Sequence, residues 1–258
     1  MKKTIKPFKS VLVAVLLVVS FLCHAQNFEY FVSLSHAKSY QYPTLIGSQE
    51  WKKFKSLNEK SSACQIPDQV LDTISTEGLI WTCLNYPMFS NIFAFNDLQT
   101  GFNSVNSYFN GIEELYSRDN SIKELLSLFY RINPDEFKNE WTPEDKGGFA
   151  LLLIWFELLI SEHVMIANLS NNDADKAIQD CMQKLSIKSV YPVLFSEMSN
   201  ISLLMIISKI MYYSNYEPFI NEVKKNILLY SFIIEGKNYN ISIKETIIRH
   251  ANNYINNN

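Results

Sequence analysis

The stretch Thr142-Pro143-Glu144-Asp145-Lys146-Gly147-Gly148-Phe149-Ala150-Leu151-Leu152-Leu153-Ile154-Trp155-Phe156-Glu157 decides the fold. It opens with a threonine able to cap a helix and a proline at the first helical position, where no backbone N–H is needed. Two acids follow in the first turn, where the positive end of the helix dipole favours them. From Phe149 to Phe156 no residue is polar. The pattern predicts one helix over 143–168, apolar nearly all round and therefore packed by neighbours on several sides. Ile201 to Ile207, with Ser202 as its single polar residue, reads as a second central helix. Glu157, Glu162 and Lys209 interrupt these runs before they reach the roughly 18 uncharged residues of a membrane span.

Outward from this stretch, helix starts recur. Asn96-Asp97-Leu98-Gln99 places a cap three residues before a glutamine, and Ser121-Ile122-Lys123-Glu124 and Ser242-Ile243-Lys244-Glu245 read as capping boxes. Asn133-Pro134-Asp135-Glu136 repeats the arrangement at Thr142. Three-and-four spacing of Ile122, Leu125, Leu126 and Phe129, and of Ala177, Ile178, Cys181, Met182 and Leu185, agrees. The predicted helices cover 48–61, 67–74, 76–85, 87–94, 97–117, 121–132, 143–168, 173–186, 193–213, 217–233 and 242–255. The run 227–234 also fits a β-hairpin with 239–243, because short apolar runs are ambiguous. Tyr42-Pro43, Tyr86-Pro87 and Tyr191-Pro192 read as corners where an element ends on an aromatic and proline stops it. The expected fold is all-α, a multi-helix array of antiparallel helix pairs, built either as an irregular bundle or as a short α-solenoid-like stack.

Composition supports the class. The chain of 258 residues has only 7 glycines, against about 18 at ordinary usage. So few residues suited to positive-φ turns argue against sandwiches, barrels and nucleotide-binding α/β folds, and against most phosphate-cradling loops. Serine-nucleophile, P-loop, dinucleotide and EF-hand patterns are missing, and no cofactor is expected.

Residues 1–25 read as a leader. Lys2, Lys3, Lys6 and Lys9 precede the apolar run Val11–Cys23, and Ala25 offers a cleavage site before Gln26. Its loss would remove four lysines and no acid, leaving 19 basic against 26 acidic residues, a net charge near −7. That balance argues against nucleic-acid binding, and the layout predicts an exported protein, periplasmic or extracellular, with no integral span after cleavage. The remainder, 26–258, is read as a single helical domain, with 133–142 the place for any sub-boundary. Of its cysteines, Cys83 and Cys181 fall on apolar stripes. Cys64 and Cys83 are one candidate disulfide pair, and the odd count leaves a thiol free.

One segment carries a resemblance. Ile66-Pro67-Asp68, Ser75-Thr76-Glu77-Gly78-Leu79-Ile80, Thr82-Cys83-Leu84-Asn85-Tyr86-Pro87, Phe102, Phe109-Asn110-Gly111, Glu114-Leu115 and Arg118 resemble a family of exported bacterial proteins of unknown function. The resemblance spans roughly 43–132, with Cys-Leu-Asn-Tyr-Pro and Phe-Asn-Gly its most specific pieces. It implies a helical domain and export, and brings no catalytic residues.

Three constellations could carry chemistry. Glu157, Glu162 and His163 lie close together in sequence and could do acid/base work; a partly buried, hydrogen-bonded histidine is the plain alternative. The zinc-protease pattern is absent, and no metal site is expected. Glu114 and Arg118 form an i,i+4 pair, either a surface ion pair or an anion site around Arg118. Asn96, Gln99, Asn103, Asn106 and Asn110 form a polar stripe, either a solvated face or a hydrogen-bonding groove with Phe102, Tyr108 and Phe109 beside it. The leading functional expectation is an exported non-catalytic interaction or structural module whose partner is a protein, peptide or glycan. The alternative is a secreted hydrolase centred on Glu157, Glu162 and His163, and a third option is association with a membrane surface through an exposed apolar helix.

Overall fold

Thr142 does what its position dictates: its hydroxyl accepts from the Asp145 N–H at 3.1 Å, and Pro143 fills the first turn. The computed structural model describes residues 37–257, and every regular element among them is helical, so the protein is all-α. The leader at 1–25 lies outside the described residues. The helices are α1 (Leu57–Ala63), α2 (Asp68–Leu71), α3 (Thr76–Leu84), α4 (Leu98–Asn106), α5 (Asn110–Ser117), α6 (Ser121–Arg131) and α7 (Pro143–Ser161). They continue as α8 (His163–Ile166), α9 (Asn171–Val190), α10 (Met198–Tyr213), α11 (Glu217–Val223), α12 (Ile227–Glu235) and α13 (Ile241–Asn257). A 3-10 turn, Trp51–Lys53, precedes α1, and a second, Phe89–Ala94, stands between α3 and α4.

The two apolar runs form the centre. Helix α10 packs against α7, α8, α9, α11, α12 and α13, and its Leu203, Leu204, Met205, Ile206 and Ile207 are fully buried. In a solenoid each unit touches only its sequence neighbours. Here one buried helix is shared by many, which is the bundle arrangement. The buried apolar side chains, from Tyr42 to Tyr254, join in one cluster, and Trp141 in the 133–142 segment belongs to it. Helix ends are closed by side chains of Ser56, Ser75, Asp97, Thr142, Ser170 and Asn226, each accepting a backbone N–H. Such caps contribute about 1 kcal/mol apiece.

Several boundaries differ from the sequence expectation. The run 227–235 is helix α12, so the hairpin is excluded; Gly236 caps it in the left-handed region (φ 66°), with its N–H on the Phe232 carbonyl. The expected helix at 97–117 breaks into α4 and α5, and that at 48–61 into a 3-10 turn and α1. The 87–94 segment is 3-10 rather than α. Asn133-Pro134 opens only a turn, closed by Glu136 N–H on the Asn133 carbonyl. Neither capping box forms as expected. Ser121 turns its hydroxyl back to the Leu115 carbonyl, and Asn240, not Ser242, caps the last helix through the Ile243 N–H. The cap before α4 is Asp97, one residue later than Asn96.

Scarce glycine is compensated by asparagine. Asn215 and Asn238 adopt positive φ (56° and 63°), a conformation asparagine tolerates better than most residues. Gly101 is needed for a different reason. A Cβ there would lie 2.1 Å from the Ile92 carbonyl oxygen, so α4 can meet the Phe89–Ala94 turn only without a side chain. Cys64, Cys83 and Cys181 are all buried free thiols, so the Cys64–Cys83 bridge is absent.

Two predictions follow from this packing. Gly101→Ala should lower stability by about 1–3 kcal/mol in urea unfolding, overpacking outweighing alanine's better helix propensity; an unchanged midpoint would contradict the close approach. Alkaline pH should also destabilise the fold. Burial pushes the Cys64 thiol up from 9.0 to about 11, and also raises Cys83, Cys181, Tyr42, Tyr86 and Tyr116. The unfolded chain then releases these protons first, so the folded state holds more of them and stability falls as pH rises. Burial lowers Lys188 and Lys209, which acts the other way but through fewer groups. The thermal midpoint should therefore drop between pH 9 and pH 11; a midpoint that holds or rises across that window would refute this account.

Candidate functional site

The charged residue inside the decisive stretch is where the bundle closes. Glu157 of α7 is buried and meets the ammonium of Lys188 from α9, whose side chain is wholly buried, with Nζ 2.8 Å from Oε1 and 2.9 Å from Oε2. The third ammonium proton goes to the Ser199 carbonyl at 2.7 Å, and the Ser202 hydroxyl donates to Glu157 Oε2 at 2.5 Å. Burial lowers the Lys188 pKa, and the facing Glu157 carboxylate opposes that shift. An ammonium has three donors, and here all three are satisfied inside the protein.

Glu162 occupies a different environment. Helix α7 stops at Ser161 because Glu162 is extended (ψ 143°), which leaves its last carbonyls without helical partners. Tyr116 donates its hydroxyl to the Leu159 carbonyl at 3.0 Å, and Ser161 does the same for Leu158. The Glu162 carboxylate accepts from Gln99 Nε2 at 2.7 Å, and Lys209 Nζ donates to Gln99 Oε1 at 3.0 Å while lying 4.0 Å from Glu162. Asn103 joins by accepting from Gln99 Nε2 at 2.9 Å. The expected helix 143–168 is therefore two helices, and the break carries His163 to the surface. Its ring rests on Tyr213, with centroids 4.3 Å apart. The expected partly buried, hydrogen-bonded histidine is instead exposed. Of the acid/base candidate, Glu157 is sealed against Lys188, while Glu162 is half-buried on Gln99 and His163 stands at the surface.

The other candidates are also engaged. Arg118 donates Nε to Glu114 at 2.8 Å, Nη1 to the Ile74 carbonyl and Nη2 to the Leu71 carbonyl, both at 2.8 Å. It closes the C-terminal end of α2 and the turn after it, so its guanidinium is spent on backbone rather than open to an anion. Asn110 exchanges a pair of hydrogen bonds with the Ile66 backbone at 2.8 and 3.0 Å. Phe109 stacks on Tyr86 at 3.8 Å. The two most specific pieces of the resemblance, Cys-Leu-Asn-Tyr-Pro and Phe-Asn-Gly, thus meet as a packing joint. The polar stripe does not remain one face, since Gln99 is buried and Asn110 turns inward. Phe102 and Phe109 are in the core and cannot line a groove.

An open groove lies where sequence reasoning placed none. The end of α10, α11 and the start of α12 enclose about 630 Å³, lined among others by Tyr212, Tyr213, Tyr230, Lys224, Lys225 and Ile227. Tyr212 links Tyr213 and Tyr230 at centroid distances of 5.2 and 6.3 Å, so with His163 an aromatic row runs along it. Burial, with Tyr212, Tyr230 and the nearby Glu162 carboxylate, raises the Tyr213 pKa. No carboxylate lines the groove, and among the described residues Lys224 and Lys225 form no ion pair. A sequence signal did exist: Lys224-Lys225 directly before an apolar helix, with Tyr212-Tyr213 at the end of another. A second cleft, about 610 Å³, brings Asn96 together with Phe93, Phe95 and Tyr239. Among the described residues no group of histidines, cysteines and acids is placed to hold a metal ion, and no helix is long and apolar enough to cross a membrane. Comparison with known protein families, curated proteins and solved structures finds no match.

If Glu157 serves packing, its energetics should be those of a buried ion pair. Glu157→Gln should cost about 3–5 kcal/mol by stranding the Lys188 charge, and the double variant Glu157→Leu/Lys188→Met should recover most of that loss. Urea unfolding of the singles and the double measures both. A near-neutral Glu157→Gln would remove the structural role.

Proposed function

We propose that the protein is an exported, non-catalytic helical interaction module that engages its partner at the groove between α10, α11 and α12. Export rests on the leader pattern at 1–25. The observation that carries the reading is the groove itself: one exposed and two half-buried tyrosines beside two lysines that form no ion pair among the described residues, with no carboxylate among the side chains that line it. Tyrosine supplies large, rigid contact area at low entropic cost, which is why interfaces favour it. Elsewhere the polar side chains singled out from sequence are spent internally: Glu157 on Lys188, Glu162 on Gln99, and Arg118 on backbone carbonyls. A hydrolase centred on Glu157, Glu162 and His163 would need Glu157 open to substrate, and its carboxylate is instead buried against Lys188.

Site-specific photocrosslinking in producing cells tests the proposal. A benzophenone side chain at position 230 should give a discrete adduct that is absent when the same group stands at the exposed position 183 on α9. Equal labelling at both positions, or none at either, would overturn the assignment of the groove as the working surface.

A further inference from the structure

Helix α12 is apolar on almost every side, yet only Leu229, Phe232 and Ile233 are buried. Ile227 is 73% exposed and Leu228 48%, with Tyr230 and Ile234 also exposed. The surface they form begins one residue beyond Lys224 and Lys225, after the capping Asn226, and both lysines are exposed and without ion-pair partners among the described residues. From these juxtaposed groups we infer that the α11–α12 corner docks on an anionic lipid surface, with Lys224 and Lys225 at the headgroups and Ile227 and Leu228 in the outer acyl region. This inference rests on the reading of the groove as an interaction surface and names its partner class.

Two features favour a bilayer over an acidic peptide. The most exposed groups are aliphatic side chains on an outward helical face, the kind that partitions into a membrane interface, whereas protein hot spots are aromatic or arginine anchors set into pockets. Tyr212, Tyr213 and Tyr230 lie beside them, and tyrosine is the residue type that gathers at headgroup level. Charge complementarity is local: the chain as a whole is acidic, at net −3, while this corner presents lysines with no acid lining the groove. Since no described helix can span a bilayer, the contact is with its surface.

Cosedimentation of the full chain with vesicles tests this. The vesicles are phosphatidylcholine alone, or phosphatidylcholine mixed with phosphatidylglycerol. The protein should pellet with the mixed vesicles, and raising the salt should release it. Lys224→Ala/Lys225→Ala should weaken binding about thirty-fold. Ile227→Ser/Leu228→Ser, which leaves the buried face of α12 intact, should weaken it without changing charge. Unaltered far-UV circular dichroism would show that each variant folds. An apolar leader would bind equally in every variant, so the difference between variants is the readout. Equal binding of all variants, equal binding to both lipids, or no binding would overturn the inference. If vesicle binding fails while position 230 still crosslinks a protein or glycan, only the lipid assignment falls; if both fail, the groove reading falls with it.

Discussion

A lysine with no access to water constrains the rest of the bundle. Lys188 carries its charge into the seam between α7, α9 and α10, and the seam can close only where three acceptors converge on it. Isolated, that ammonium would be too costly to bury. Paired with Glu157, it contributes little beyond what well-packed apolar groups would supply. Its effect is on register. A slide of one helical turn along α9 or α10 would part Lys188 from Glu157 or from the Ser199 carbonyl, so the buried charge opposes it.

From that seam the structure extends to the groove by way of the break at Glu162. Because α7 ends there, Tyr116 is drawn to an orphaned carbonyl, Glu162 is free to meet Gln99, and Lys209 of α10 bonds Gln99 with Glu162 4.0 Å away. Gln99 in turn sits against Gly236, where an added Cβ would come within 2.6 Å of the Gln99 Cβ, so the polar cluster also positions the turn that ends α12. The break carries His163 outward onto Tyr213. A residue that looked like an acid/base partner of Glu157 thereby becomes the end of a surface aromatic row.

Much of the helical class was legible because it is written locally. Thr142-Pro143 and the apolar run behind it need no tertiary knowledge, and Ile201 to Ile207 was readable as a buried helix from its lack of polar residues. What was not legible depends on partners far away in sequence. Nothing around Ser161-Glu162 resembles a helix stop; the break has neither glycine nor proline and is held by Gln99 and Tyr116 from distant helices. Ser121 and Ser242 fit capping boxes in pattern, but the Leu115 carbonyl and Asn240 offered competing arrangements. The polar stripe failed for the same reason: periodicity shows that Gln99 and Asn110 share a face with Asn103, not that buried partners draw them inward. The Tyr/Lys groove is assembled from three helices, so its residues were visible singly and its concavity was not.

The three cysteines among the described residues give the molecule an internal clock. Each thiol is shielded, and burial holds each in its unreactive protonated form. Cys64 sits at the end of α1, Cys83 within α3 and Cys181 within α9 beside the Lys188 seam. A thiol reagent can reach each only when the structure around it opens. The order in which they react would therefore record the order in which parts of the bundle come apart, from an unaltered chain carrying no added probe.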